Sequence, residues 1–77
     1  MVKGYILVQT EVGRSGVISR ALRSVPGVVV CDDVTGPYDV IVQAECESMD
    51  ALGQLVVQGI QSVPGITRTV TCPVVNL

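Results

Sequence analysis

A tetrapeptide is written twice in this chain. Ser24-Val25-Pro26-Gly27 returns as Ser62-Val63-Pro64-Gly65, 38 positions later in a chain of 77 residues. A repeat spaced at half the length predicts two copies of one supersecondary unit. Ahead of each copy runs a segment of helical period, and ahead of that a segment that alternates like a strand. A β-branched run follows each copy. The order that results is β-α-β-β-α-β.

Val2 to Thr10 is predicted as the first strand. Gly4, Ile6, Val8 and Thr10 share one face; Lys3, Tyr5, Leu7 and Gln9 share the other. Neither face is fully polar, which predicts that both are covered. Glu11-Val12-Gly13 breaks the strand, with Gly13 as the cap of a helix over 14–24. Its apolar stripe reads Val17, Ile18, Ala21, Leu22 and Val25, and Arg14, Arg20 and Arg23 lie off it. Pro26 disfavours helical geometry in the residue before it, and Gly27 supplies the turn. Val28 to Cys31 is β-branched and strand-like. Asp32 and Asp33 follow on alternate sides.

The second copy repeats the plan. Asp39 to Cys46 alternates Val40, Val42, Ala44 and Cys46 against Ile41, Gln43 and Glu45. Ser48 is an N-cap, and Asp50 lies in the first helical turn where the dipole favours a negative charge. Leu52, Leu55, Val56, Gly59, Ile60 and Val63 form the apolar stripe. Gly53 lies off that stripe and costs about 1 kcal/mol of helix propensity, with no packing reason in the sequence. Ile66 to Val75 is the last strand. It sets Thr67, Thr69 and Thr71 against Arg68, Val70 and Cys72.

Right-handed crossovers and the internal two-fold turn this order into a ferredoxin-like α+β fold. One domain over residues 1–77 holds a four-stranded antiparallel sheet with both helices on one face. The opposite face carries Tyr5, Leu7 and Ile41, which predicts an interface with a second copy. Composition points the same way. The chain is 48% hydrophobic and 16% charged, more apolar than one small core requires.

Other classes are disfavoured. Five scattered basic residues and a net charge of −2 form no basic patch, so direct nucleic-acid binding is not expected. There is no His, and Cys31, Cys46 and Cys72 are far apart. Neither a zinc site nor a disulfide framework follows; buried thiols in a reducing compartment do. No apolar run reaches the roughly 20 residues of a membrane span, and Met1-Val2-Lys3-Gly4 leads into a strand rather than a leader peptide. The expectation is a cytoplasmic protein without metal or cofactor. Chemistry at neutral pH usually needs a His, an activated Cys or a metal, so no catalytic residue is assigned.

The two copies are joined by Val34-Thr35-Gly36-Pro37-Tyr38-Asp39. Thr35 to Asp39, read as Thr-Gly-x-Tyr-Asp, resembles the signature of the effector-binding (RAM) domain of the Lrp/AsnC family of leucine- and asparagine-responsive regulators. Pro64-Gly65-Ile66-Thr67-Arg68-Thr69 is similar to that family's Pro-Gly-Val-x-x-Thr segment. The resemblance covers nearly the whole chain. It implies homodimers with sheets packed face to face, octamers built from dimers, and amino-acid effectors bound in clefts between dimers. Full-length members carry a helix-turn-helix before this domain. Starting at the first strand, this chain is similar to the stand-alone members. The implied role is modulation of amino-acid-responsive transcription, with full-length regulators of the family as candidate partners. Pro37 departs from the family, which often has a polar residue there; proline removes an N–H and stiffens the turn.

An amino-acid effector needs an acceptor for its ammonium and donors for its carboxylate. Asp39 is the natural acceptor, with Asp32 or Asp33 as the alternative. The N–H groups of the Gly36 turn and the hydroxyls of Thr67 and Thr69 are natural donors. Gly36 permits close approach, and Tyr38 offers a ring and a hydroxyl. Each residue also has a plainer reading. Asp39 can bond turn N–H groups, Tyr38 can pack at an interface, and the threonines suit a strand. Two alternatives share the topology: an ACT-like amino-acid-binding module with its turn at Glu11-Val12-Gly13-Arg14, and a small dimeric ferredoxin-like enzyme.

Overall fold

The computed structural model describes residues 1–76; Leu77, the last residue of the predicted domain, lies outside them. The elements are β1 (Val2–Thr10), α1 (Ser15–Arg23), β2 (Val28–Asp33), β3 (Val40–Cys46), α2 (Met49–Gln54) and β4 (Ile66–Pro73). A π-helical turn, Leu55–Ile60, continues α2. The strands form one sheet in the order β2-β3-β1-β4, every pairing antiparallel. This is the ferredoxin-like arrangement.

The repeated tetrapeptides make the same turn twice. Gly27 and Gly65 both have φ of +98°, a conformation that L side chains rarely adopt. Val25 N–H donates to Leu22 and Val63 N–H to Ile60, each at 3.1 Å. Ser24 Oγ donates to the Ala21 carbonyl and Ser62 Oγ to the Gln58 carbonyl. The duplication seen in sequence is thus a duplication of helix-ending hydrogen bonds, which fixes where each returning strand begins.

One core fills the space between sheet and helices. Ile6, Val8, Val40, Val42 and Ala44 from the sheet meet Ile18 and Leu22 of α1 and Leu52, Val56 and Ile60 of the second helix. The second helical stripe is buried at Leu52, Leu55, Val56 and Ile60 and half-buried at Gly59 and Val63. The first is rotated by about one residue. Ile18, Ser19 and Leu22 are buried, while Val17 and Ala21 are exposed and Val25 is half-buried. Ser19 tolerates burial because its hydroxyl reaches the Gly16 carbonyl at 3.2 Å and Asp33 Oδ2 at 3.3 Å. A polar residue with two local partners takes a place that an apolar stripe would not assign to it.

Several boundaries shift. Gly13 sits in the turn before α1 with φ of +80°, and Arg14, without a side-chain cap, takes the N-cap position. Ser48 caps α2 as expected, accepting from the Ala51 N–H at 3.1 Å. β2 extends through Asp33, β3 starts at Val40 rather than Asp39, and β4 ends at Pro73 rather than Val75. Proline cannot donate to the ladder, which suits a strand end. No described helix is long and apolar enough to cross a membrane.

Candidate functional site

β1, β3 and β4 converge where β1 ends, and both sequence motifs meet there. Register sets this up. Val8 pairs with Val40 on one side and with Thr69 on the other. The turn that leads into β3 and the loop that leads into β4 therefore flank the last residues of β1.

Asp39 is anchored from β1. Its Oδ2 accepts the Thr10 N–H at 2.7 Å and the Thr10 hydroxyl at 3.1 Å. Its own N–H donates to the Val8 carbonyl at 2.9 Å, and its carbonyl accepts from Val34 at 2.9 Å. The plain expectation had Asp39 bonding N–H groups within its own turn; the carboxylate instead closes onto the neighbouring strand. The reason is that the β1 ladder is interrupted near Thr10. Its pairing with β4 shifts between Gln9 and Thr10, and the Thr10 N–H takes a side-chain acceptor.

Gln9 ties the two motifs together. Its amide Nε2 donates to the Pro37 carbonyl at 3.3 Å. Thr67 Oγ1 lies 3.2 Å from the Gln9 carbonyl and 3.4 Å from Gln9 Oε1. Glu11 N–H donates to the Gly65 carbonyl at 2.8 Å, which fixes the Pro64-Gly65 turn to the same end. Gln9 and Thr10 were not among the residues singled out from the sequence. Their only sequence mark is two consecutive polar side chains closing an apolar strand.

The other expected residues divide. Gly36 is exposed, and a Cβ built on it meets nothing within 4 Å, so the space above the turn is open. Tyr38 is half-buried. Thr67 and Thr69, with Gln61, Ile66 and Arg68, line a cleft of about 200 Å³, and Gln61 Nε2 donates to Thr69 Oγ1 at 2.9 Å. Asp33 engages α1 through Ser19 rather than the end of β1. Asp32 pairs with Ile41 and lies on the opposite sheet face. A larger cleft of about 610 Å³, lined by Val25, Pro26, Gly27, Cys46, Leu55 and Gln58 among others, lies at the far end and contains none of these residues.

The open sheet face is apolar at its centre. Leu7 pairs with Ile41 and with Val70, and Tyr5 pairs with Gln43 and Cys72. Tyr5 and Val30 are exposed there. On the covered face, burial pushes the Cys31 thiol up from its ordinary range. The Arg23 guanidinium partly offsets that shift, and Asp33 and Asp32 add to it. Among the described residues no cluster of His, Cys, Asp or Glu is placed to hold a metal ion.

The class this geometry defines is a ferredoxin-like domain with a polar turn cluster at one end of the sheet and an apolar open face. Residues 3–76 match the Lrp/AsnC ligand binding domain, and the chain belongs to that family. Among solved structures it is similar to TTHA0845 from Thermus thermophilus, with 28% identity and a TM-score of 0.95 over 100% of this chain and 96% of that one. It is similar to E. coli AsnC, with 25% identity and a TM-score of 0.91 over 99% of this chain and 52% of that one. The transcriptional regulator NMB0573 from Neisseria meningitidis, solved as a complex with L-Met, shares the fold at 22% identity and a TM-score of 0.83, over 97% of this chain and 50% of that one. The chain thus spans about half the length of these two regulators. No curated protein matches the chain in sequence.

Proposed function

We propose that this chain is a non-enzymatic regulatory module that binds a free amino acid beside the 35–39 turn. The site is completed by another subunit. Dimers form through the open sheet face, and the module acts on transcription through full-length regulators of its family rather than by touching DNA. The observation that carries this reading is the double anchoring of Asp39 Oδ2 by Thr10. It fixes one carboxylate oxygen on the end of β1, three residues after Gly36, where a Cβ would meet nothing within 4 Å. A pre-oriented carboxylate is a fitting acceptor for an ammonium group. Thr67, whose hydroxyl donates to the Gln9 carbonyl, would exchange that bond for one to the ligand carboxylate. The family match and the L-Met complex of NMB0573 support the ligand class.

The test is a melting series with each of the twenty amino acids, run beside a sedimentation mass. One or a few should raise the melting temperature, because a ligand that binds only the folded state stabilises it. Asp39→Ala should remain folded and lose that response. A full wild-type response in Asp39→Ala overturns the acceptor role, and silence across all twenty overturns the ligand class.

A further inference from the structure

One row of residues crosses the end of the sheet where the two motifs meet. Gln9 of β1 pairs with Arg68 of β4. On its other side β1 runs antiparallel to β3, with Val8 opposite Val40. The next step of that register sets Asp39 beside Gln9, and the Asp39 N–H donates to the Val8 carbonyl at 2.9 Å. The row therefore reads Asp39, Gln9, Arg68: an anion, a neutral amide and a cation. With strands about 4.8 Å apart, the backbones of the two charged residues stand roughly 10 Å from each other. Asp39 Oδ2 is committed to Thr10. Gln9 holds the middle of the row, its Nε2 donating to the Pro37 carbonyl at 3.3 Å. The hydroxyls on either side of Arg68 are tied to neighbours. Thr67 Oγ1 donates to the Gln9 carbonyl at 3.2 Å, and Thr69 Oγ1 accepts the Gln61 amide at 2.9 Å. Arg68 itself is exposed, and it is the one charged side chain among the residues that line the cleft of about 200 Å³. A guanidinium presents five N–H donors in a planar fork that matches a carboxylate.

We infer that Arg68 is the carboxylate pole of the site: an α-amino acid lies across Gln9 with its ammonium on Asp39 and its carboxylate on Arg68. The inference rests on the amino-acid reading given above and adds the residue that recognises the second charge. A zwitterion carries its two charges on one carbon, with opposite signs, as the two ends of the row do. A bound amino acid therefore matches both ends. An amine, a carboxylic acid or an amino-acid amide matches one and leaves the other uncompensated. The side chain leaves the same carbon and is bound by neither pole. The row thus selects free amino acids as a class, and the choice among them falls to the surface that faces the row.

A cycle between residue and ligand tests the inference by calorimetric titration. The probes are the twenty amino acids and, for each that binds, its α-carboxamide, which keeps the ammonium and lacks the carboxylate charge. In the wild-type chain the amide should bind roughly tenfold or more weakly than its parent, for the loss of one charge-assisted contact. Arg68→Gln should weaken the parent by a similar factor and leave the amide nearly unchanged, so that the preference for the free carboxylate disappears. A residue that only supported the fold would weaken both compounds alike. The inference is overturned if Arg68→Gln keeps the wild-type preference, or if parent and amide lose affinity together. Failure of the underlying reading has a different signature, in which none of the twenty amino acids binds the wild-type chain. An amino acid that needs Asp39 but binds Arg68→Gln as it binds wild type removes Arg68 alone.

Discussion

Thr10 holds Asp39 by two hydrogen bonds to a single carboxylate oxygen, its N–H at 2.7 Å and its hydroxyl at 3.1 Å. The pair joins the end of the first strand of one copy of the repeat to the start of the other copy. Thr10→Val keeps the N–H bond and removes only the hydroxyl. For a half-buried bond to a charged acceptor the expected loss is about 1 kcal/mol, or roughly 4–8 °C in a domain of this size. Asp39→Asn should fall between wild type and Asp39→Ala. Thermal melts of the three variants check the order, and a Thr10→Val protein as stable as wild type would refute the anchoring role of the hydroxyl.

The twin turns make opposite demands from an ordinary helical glycine. A Cβ on Gly27 would lie 2.6 Å from Leu55 Cδ1, and one on Gly65 3.0 Å from Ile18 Cδ1, both at φ of +98°. Gly27→Ala should cost about 2–3 kcal/mol, combining the left-handed backbone with crowding. Gly65→Ala should cost somewhat less, because its contact is looser. Gly16, in the first turn of α1, has nothing within 4 Å. Gly16→Ala should be neutral or stabilising by up to about 1 kcal/mol. Denaturant midpoints of the three variants test the contrast.

The open sheet face yields a prediction about mass. Leu7 sits between Ile41 and Val70 at its centre. In a sheet-to-sheet dimer, Leu7→Asp removes burial of about 1.5–3 kcal/mol from each copy and puts two carboxylates near the axis. Light scattering should show the dimer lost across this face while circular dichroism stays native. An unchanged mass would remove the sheet face from the assembly.

Two cysteines report on burial. Cys31 is buried with a thiol shifted upward by desolvation, whereas Cys72 is exposed on the open face opposite Tyr5. Thiolate is the reactive form, so in the folded chain alkylation should reach Cys72 well before Cys31. Where a second copy covers the sheet, Cys72 should slow, and Leu7→Asp should restore its rate. Mass spectrometry of the modified protein reads each site.

The same Cys31 shift fixes a pH dependence. A thiol raised in the folded state favours folding while it stays protonated. That contribution is intact below the unfolded thiol's ordinary range and is lost as pH climbs from there through the higher folded value. Cys31→Ala should flatten the alkaline loss of stability in wild-type melts; an equally steep loss in that variant would assign it to other groups.

The repeated tetrapeptide, the two apolar periods and the alternation of the strands are enough to specify the βαββαβ order and the ferredoxin-like sheet, while the family shows only in the resemblance of the Thr35–Asp39 and Pro64–Thr69 motifs. These are local properties. A helix stop, a strand face or a turn is written in neighbouring residues, because hydrogen bonds and side-chain directions repeat over a few positions. The stripe of α1 departs from its period by one residue for a related reason. Ser19 looks polar in sequence, but its hydroxyl is satisfied beneath the helix by Gly16 and Asp33. That same bond draws Asp33 away from the turn, where adjacency alone makes it an alternative to Asp39. Gln9 and Thr10 are silent in sequence because their partners lie 28 and 29 positions away. Which strand ends meet is set by register across the sheet, and register follows from burying the whole face at once rather than from any one segment. Local pattern therefore carries the fold and the chemistry on offer. Packing across the sheet is what makes Thr10 anchor Asp39 and Gln9 join the two motifs at one end of the sheet.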